Sequence, residues 1–444
     1  VDPTDFDLIA AHFGSLEISR GGDWTNAGGN DSIDGGAGSD TINAGAGDDF
    51  VTAEDGSSDS LDGGSGTDTL ATLDYGLDTY SGGFESLSPL QVNKANGVNG
   101  TTSLGDAIAY ANTHAGPDTI TFDPAVFGST SRTIYASDLE IGDSSGTTTI
   151  VGPGVDLLTV NANGAAHVFS TSQTVSISGI TLTGANEDDD DEINGGAVYN
   201  TGILSMSGCN IHGNTTYADG SGIYSSGTLN LTNCSIGANS TTNYSGTDGG
   251  GVFIASGIAN IIGCTIANNY ASENGGGICV SSGTVSLVNS TIADNISDGY
   301  DDGGGGGGIF SYSGTLNIIN CTISANHADD GRGGGIYNFD GTLTMKNSID
   351  AGNFCDFEGA EDIYGGFVIH GTDKNLIGGD AGLGALADNG GPTETMALLS
   401  GSAAISTRAI TVSFQPGLPP ANAAATASMA VRWTLRHMRR KSRD

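Results

Sequence analysis

A long internal repeat, clearest between residues 195 and 353, decides what this chain can fold into. Six segments open alike: Gly196-Ala197-Val198-Tyr199, Ser221-Gly222-Ile223-Tyr224, Gly250-Gly251-Val252-Phe253, Gly276-Gly277-Ile278-Cys279, Gly307-Gly308-Ile309-Phe310 and Gly334-Gly335-Ile336-Tyr337. The steps between them run from 25 to 31 residues. A second column follows in register: Cys209, Cys234, Cys264, Ser290, Cys321 and Ser348, with Ile180 one coil earlier. Two places on in the first five stand Ile211, Ile236, Ile266, Ile292 and Ile323. Three places after these come Asn214, Asn239, Asn269, Asn295 and Asn326. Units this short cannot each enclose a core, so they must stack on one another.

A column of asparagine suits one corner of such a stack. Asn tolerates left-handed turn geometry, and its amide both donates and accepts along the column. The runs Thr228-Leu229-Asn230-Leu231 and Thr315-Leu316-Asn317-Ile318 alternate apolar and polar residues with the period of a strand. The expected fold is therefore all-β, a parallel β-helix over 147–407 with one thin continuous core. Stacked Cys209 and Cys234 lie near strand spacing, wider than a disulfide prefers, so a buried ladder of reduced thiols is expected. The coils resemble right-handed, pectin-lyase-like β-helix proteins of the polymorphic outer-membrane-protein type. Thr102 to Asn112, followed by Asp118-Thr119-Ile120-Thr121-Phe122, resembles the "CSLREA" leader of such helices, with Gly105-Asp106 in place of its Arg-Glu. Residues 101–115 are read as a short amphipathic helix capping the solenoid end, within a cap-and-first-strand segment over 101–146.

Composition agrees with a thin, turn-dense architecture: only 37% of residues are hydrophobic, while 74 are Gly. Against 51 acidic residues stand 13 basic ones, a formal charge of −38. That excess repels nucleic acid and anionic membrane and favours bound cations. No apolar run is long enough for a membrane-spanning helix. The chain opens at Val1 without a basic-then-apolar leader, and we read it as a piece of a longer protein.

A shorter period occupies residues 26–75. From Asn26 the chain falls into nines, with Asp31, Asp40, Asp49 and Asp68 at one position and Ile33, Ile42, Val51 and Leu70 two residues later. These lines resemble the hemolysin-type RTX nonapeptide G-G-x-G-x-D-x-U-x. The resemblance implies a parallel β-roll whose glycine turns and aspartates hold Ca²⁺, with ions between alternate turns, so that Asp31 shares a site with Asp49, and Asp49 with Asp68. A hard cation takes several oxygens, which carboxylates and turn carbonyls can supply. The stretch Ala53 to Asp62 is longer and lacks the first glycines, which argues against Asp59 as a ligand. Residues 1–14 resemble the end of a dockerin-like calcium repeat, within a remnant over 1–25, and 76–100 is expected to be a linker.

Near the other end, Asp388 to Ile405 resembles the "choice-of-anchor Q" segment that closes many such helices. Residues 408–444 then hold seven of the 13 basic residues and a single acid, Asp444. Read one base earlier, this stretch can encode the Gln-Arg-Gly and Val-Asp-Ile-like strand of that family, so 408–444 is expected to be out of frame and unstructured.

Function is less sharply written. From the opening glycine to the isoleucine column the spacing is nearly constant, so all length variation falls in the loops after each Asn, which leave the helix along one edge. These loops carry Tyr217 with Asp219, Tyr244 with Asp248, Tyr270 with Glu273, Tyr300 with Asp301 and Asp302, and His327 with Asp329 and Asp330. The acidic run Glu187 to Glu192 begins the series. Aromatic faces beside carboxylates can stack on sugars and bind their hydroxyls. The expectation is a secreted or cell-surface calcium-binding solenoid that adheres to a glycan or host-surface polymer. The alternative is a polysaccharide lyase or glycoside hydrolase, since pectin-lyase-like helices also carry such enzymes. Its best candidate is the run His327 to Arg332, but Arg332 and Lys346 are the only Lys or Arg within 147–370. No catalytic residue is therefore assigned.

Overall fold

The computed structural model describes residues 17–19, 24–25, 29–36, 38–53, 57–66, 68–73, 79–81, 84–87, 90–96, 102–114, 116–186, 194–242, 246–299, 304–356, 362–366 and 374–405. The chain divides into Val1–Ile410 and Thr411–Asp444. The dockerin-like stretch 1–14 and the tail 408–444 lie outside the described residues.

Each nonapeptide folds as a strand of a few residues followed by a glycine turn, and successive strands fall on two parallel sheets. One sheet contains Glu17–Ser19, Ser32–Asp34, Phe50–Ala53, Asp68–Leu73 and Phe84–Leu87; the other contains Trp24–Thr25, Thr41–Asn43, Ser60–Asp62 and Thr79–Ser81. Strand periodicity turns Ile33, Ile42, Val51, Leu61 and Leu70 inward, where with Ala44 and Ala53 they form the core of the roll. The turns stack so closely that a Cβ on Gly64 or Gly66 would stand 1.9 Å from the carbonyl oxygen of Gly45 or Gly47. Both residues also have positive φ, +91° and +148°, so only glycine fits. Thr79–Ser81 and Phe84–Leu87 pair with the roll, whereas Gln91–Val92 pairs with Gln91↔Thr121 register in the solenoid. The stretch read as a linker thus supplies strands to both.

The solenoid is a stack of parallel coils. In the coil opened by Gly222, Ile223–Ser225, Thr228–Thr232, Ser235–Gly237 and Ser240–Thr241 join sheets of nine, ten, ten and six strands. We call these the opening, broad, isoleucine and short sheets. Inward residues match from coil to coil: Leu229 pairs with Ala259, Leu231 with Ile261 and Ile236 with Ile266. One continuous cluster from Val92 to Met345 results. Its first coil is covered by the helix Leu104–Thr113, which buries Leu104, Ala107, Ile108, Tyr110 and Ala111. Ser103 and Asp106 close a capping box at the start of that helix, so Asp106 satisfies the backbone where the leader motif has another acid. All six cysteines are buried and free.

The asparagine column is a continuous ladder. Nδ2 of Asn214, Asn239, Asn269 and Asn295 donates to Oδ1 of the next Asn at 2.9–3.0 Å. Asn326 donates in turn to Asn353, and Asn353 to Asp362. Left-handed backbone is not the reason for asparagine here. The residue before each one adopts it: Gly213, Ala238, Asn268, Asp294, Ala325 and Gly352 have φ between 54° and 74°. The ladder asparagines are selected by their amides. In the last rung Asp350 occupies the isoleucine position, fully buried, and burial drives its carboxyl well above the ordinary range, with Asp362 adding to the rise.

Candidate functional site

Asp31, Asp40, Asp49 and Asp59 stand immediately before their strands and Asp68 opens its own, and the carboxylates of Asp49, Asp59 and Asp68 reach back to the preceding turn of the same sheet. Asp31 N–H donates to Asp49 Oδ1 at 2.8 Å, and Asp49 N–H to Asp68 Oδ1 at 2.9 Å. On the other side Asp40 N–H donates to Asp59 Oδ1 at 2.8 Å. The residues therefore form two columns, Asp31–Asp49–Asp68 and Asp40–Asp59, all at most 4% exposed. Asp59 takes the same place as its counterparts despite the interrupted glycines before it, because Ser60–Asp62 keeps register with Thr41–Asn43.

Asp49 Oδ2 is buried and has no hydrogen-bond partner. Burial raises the Asp49 carboxyl above its usual range; the Asp31 N–H opposes this, and the charges of Asp68, Asp31 and Asp48 add to it. An orphaned carboxylate oxygen among like charges, beside stacked glycine carbonyls, matches the donor set of a hard divalent cation. Asp31, Asp49 and Asp68 on one side, and Asp40 and Asp59 on the other, are the residues that would hold calcium. When bound, calcium would supply the charge that these carboxylates otherwise lack.

The loop edge is arranged differently from a row of outward polar groups. Asp219 N–H donates to Asn194 Oδ1, Asp248 N–H to Asp219 Oδ1, Asn274 N–H to Asp248 Oδ1 and Gly305 N–H to Asn274 Oδ1, at 2.9–3.0 Å. Asp219 and Asp248 are thus rungs of a second side-chain ladder that ties successive loop ends together. Tyr270 is half-buried and its hydroxyl donates to Asp298 at 3.0 Å. Tyr217 and Glu273 are also half-buried. Tyr244, Tyr300, Asp301, Asp302 and the run 187–192 lie outside the described residues.

Burial pushes the Asp248 carboxyl up to about 7, with the charges of Asp219 and Glu273 adding to the rise and hydrogen bonds from Asn274 opposing it. A carboxyl raised on folding stabilises the fold fully below its unfolded value, and that stability is lost as pH rises through the folded value. Between pH about 4 and about 8 this group alone should therefore lower stability. Asp248→Asn preserves the acceptor, as Asn194 and Asn274 show in the same column, and removes the charge. We expect the variant to gain about 1–3 kcal/mol at pH 8 and nothing at pH 4, after allowance for solvent screening. Denaturant melts at the two pH values test this; an equal change at both would exclude the carboxyl as the cause.

The run His327 to Arg332 does not form one constellation. His327 and Asp329 project beside Asp356 of the following coil, with ligand-type atoms of all three within 4.8 Å of one another. Burial, a hydrogen bond with Asp356 and the charges of Asp298, Asp356 and Asp330 raise Asp329 to about 6. Arg332 turns away, its guanidinium 5.0 Å from the centre of the Tyr364 ring. Asp330 has φ 55°, a left-handed turn residue.

The outer side of the opening sheet carries an aromatic column that the sequence reading did not use. Tyr199, Tyr224 and Phe253 stack in successive coils at 5.2–5.5 Å, and Phe310 and Tyr337 continue it edge to face. Two residues after Phe310 and Tyr337, in the same two coils, Tyr312 and Phe339 stack at 5.3 Å with planes 9° apart, and these two are 54% and 51% exposed.

Among the described residues no helix is long and apolar enough to cross a membrane. The family model for the RTX calcium-binding nonapeptide repeat matches residues 26–58 and 55–72, in 4 copies. No curated protein and no solved structure matches the chain. Residues 26–72 are RTX calcium-binding repeats, and the chain goes on from them into a parallel β-solenoid of about 9 turns.

Proposed function

We propose that this chain is a calcium-ordered module that works outside the cell and holds a glycan or similar surface polymer on its solenoid. The exposed Tyr312–Phe339 pair carries the reading. Two aromatic rings stacked on each other one coil apart, in the bends that follow Ile309–Ser311 and Ile336–Asn338 and half open to solvent, offer their outer faces and edges as an apolar surface against which a sugar ring can pack. The exposed carboxylate Asp340 directly follows Phe339 and offers acceptors for hydroxyls. Repeats of the calcium-binding kind, together with a strongly acidic chain, support a place where calcium is plentiful.

Tyr217, Tyr270, Glu273, Asp329 and Asp330 on the loop edge remain the second contact region of this proposal, with Tyr244, Tyr300, Asp301 and Asp302. Their support is weaker, because Asp219 and Asp248 are engaged in the loop ladder and Tyr270 is tied to Asp298. Polysaccharide cleavage has less support still: Arg332 stacks on Tyr364, which leaves it poorly placed as a general base.

A glycan array probed with and without calcium tests the proposal. The combined variant Tyr312→Ala and Phe339→Ala is expected to lose at least about ten-fold in binding, about 1.4 kcal/mol or more, with the melting temperature unchanged. Tyr270→Ala reports on the loop edge. Full binding by the folded double variant would reject the aromatic platform.

A further inference from the structure

We propose that His327, Asp329 and Asp356 form a binding site for one first-row divalent transition ion such as Zn²⁺, separate from the calcium roll. The short sheet brings them together. His327 pairs with Phe354 and Ala328 with Cys355, so Asp329 lies opposite Asp356 in the next coil. Asp356 N–H donates to the Ala328 carbonyl at 3.3 Å, which fixes that register. Residues two apart on a strand point the same way, and His327 and Asp329 therefore share one side.

Ligand-type atoms of the three residues all fall within 4.8 Å of one another. His327 Nε2 faces Asp356 Oδ1 at 3.6 Å, too long for a hydrogen bond, and that nitrogen is shielded from solvent without a hydrogen-bond partner. The imidazole nitrogen is thus gathered with two carboxylates that hydrogen-bond each other, and a divalent ion could take the place of the proton they share. Tilted packing of the His327 ring on Phe354, centroids 4.9 Å apart, holds its orientation. Asp298 stands one coil before Asp329 in the same column, because Ser297 pairs with Ala328. Its charge adds to the negative potential at the site.

Donor chemistry selects the ion. Calcium and magnesium take oxygen ligands, whereas imidazole suits zinc, nickel, copper and iron. One nitrogen and two carboxylates neutralise a divalent charge and leave a fourth tetrahedral position for water. Ligands drawn from two coils would make the ion a cross-link between them.

The test uses tag-free full chain held in saturating calcium and titrated with ZnCl₂ by calorimetry. We expect one zinc per chain, and at least a ten-fold loss of affinity in both His327→Gln and Asp356→Asn. Zinc should also raise the melting temperature of the parent and not of the variants. X-ray absorption of the parent's zinc complex, which needs no variant to fold, should show one imidazole nitrogen among oxygens. Failure of the parent to bind zinc, affinity unchanged in both variants, or an absorption spectrum with several imidazoles or a thiolate would overturn the assignment.

Discussion

Chelation of calcium is expected to unfold the roll while leaving the solenoid intact. Five aspartates at most 4% exposed line its two sides, and among the described residues the apolar core beneath them is seven side chains, two of them alanine. So thin a core opposes both the chain entropy of ordering the roll and the repulsion of stacked carboxylates. The solenoid is expected to lack such a dependence, since the rungs of its main ladder from Asn214 to Asn353 are neutral amides and its core is continuous. Hydrogen exchange followed by mass spectrometry separates the two. Peptides within 29–73 should be protected in calcium and exchange fully within seconds in chelator, whereas peptides within 198–350 should exchange alike in both. Protection of 29–73 that survives chelation would show that the aspartates are stable without a cation.

Asn269→Ala, in a middle coil of the ladder, should cost about 3–5 kcal/mol. Asn269 Oδ1 accepts from the N–H and Nδ2 of Asn239, and its Nδ2 donates to Asn295 Oδ1 and the Ile236 carbonyl, all at 3.0–3.1 Å. Truncation leaves the Asn239 N–H without that partner at a position with no solvent exposure. Asn239 Nδ2 keeps its bond to the Ile211 carbonyl, and Asn295 Oδ1 keeps the Asn269 N–H. One donor is therefore orphaned, and Asn239 Nδ2, Asn295 Oδ1 and the Ile236 carbonyl each lose one bond. Because a stack couples mainly nearest neighbours, the loss should appear as local opening around residues 236–296, visible in hydrogen exchange as well as in melting. A variant that melts and exchanges like the parent would mean that water replaces the amide.

The repeat spacing made the solenoid readable because the isoleucine and asparagine columns each keep one residue type at a fixed offset within the coil, while the loops absorb the variation in length. Departures from that rule hid the rest. Asn353 continues the ladder, but the preceding column position holds Asp350 in place of isoleucine, so the Ile-x-x-Asn signal is broken there. Asp59 follows an insertion and lost its glycine signature while keeping its backbone register. Asp219 and Asp248 sit in loops of variable length and read as solvent-facing acids, although their function in the fold is to accept backbone N–H groups. Asp356 could not be joined to His327 from the sequence, since 27 residues separate Asp356 from Asp329 and only the coil register brings them level.

The segment after the last coil folds back along the stack. Leu383–Ala387 and Thr395–Leu398 form an antiparallel hairpin whose turn reaches Gly263 and Thr265: Thr393 Oγ1 donates to the Gly263 carbonyl, and Thr265 Oγ1 to the Glu394 carbonyl. The attachment spans about 130 residues of sequence, past the isoleucine-sheet strands that begin with Thr291, Thr322 and Ile349. Tension applied beyond Ile405 would load first the contacts of Leu399, Ser402 and Ala404 with Ala381–Gly382 and the last coil, and then the attachment at Gly263–Thr265, in shear across the stack. Two fastenings in series, one on the last coil and one further back, make the end of the solenoid a buckle rather than a loose thread.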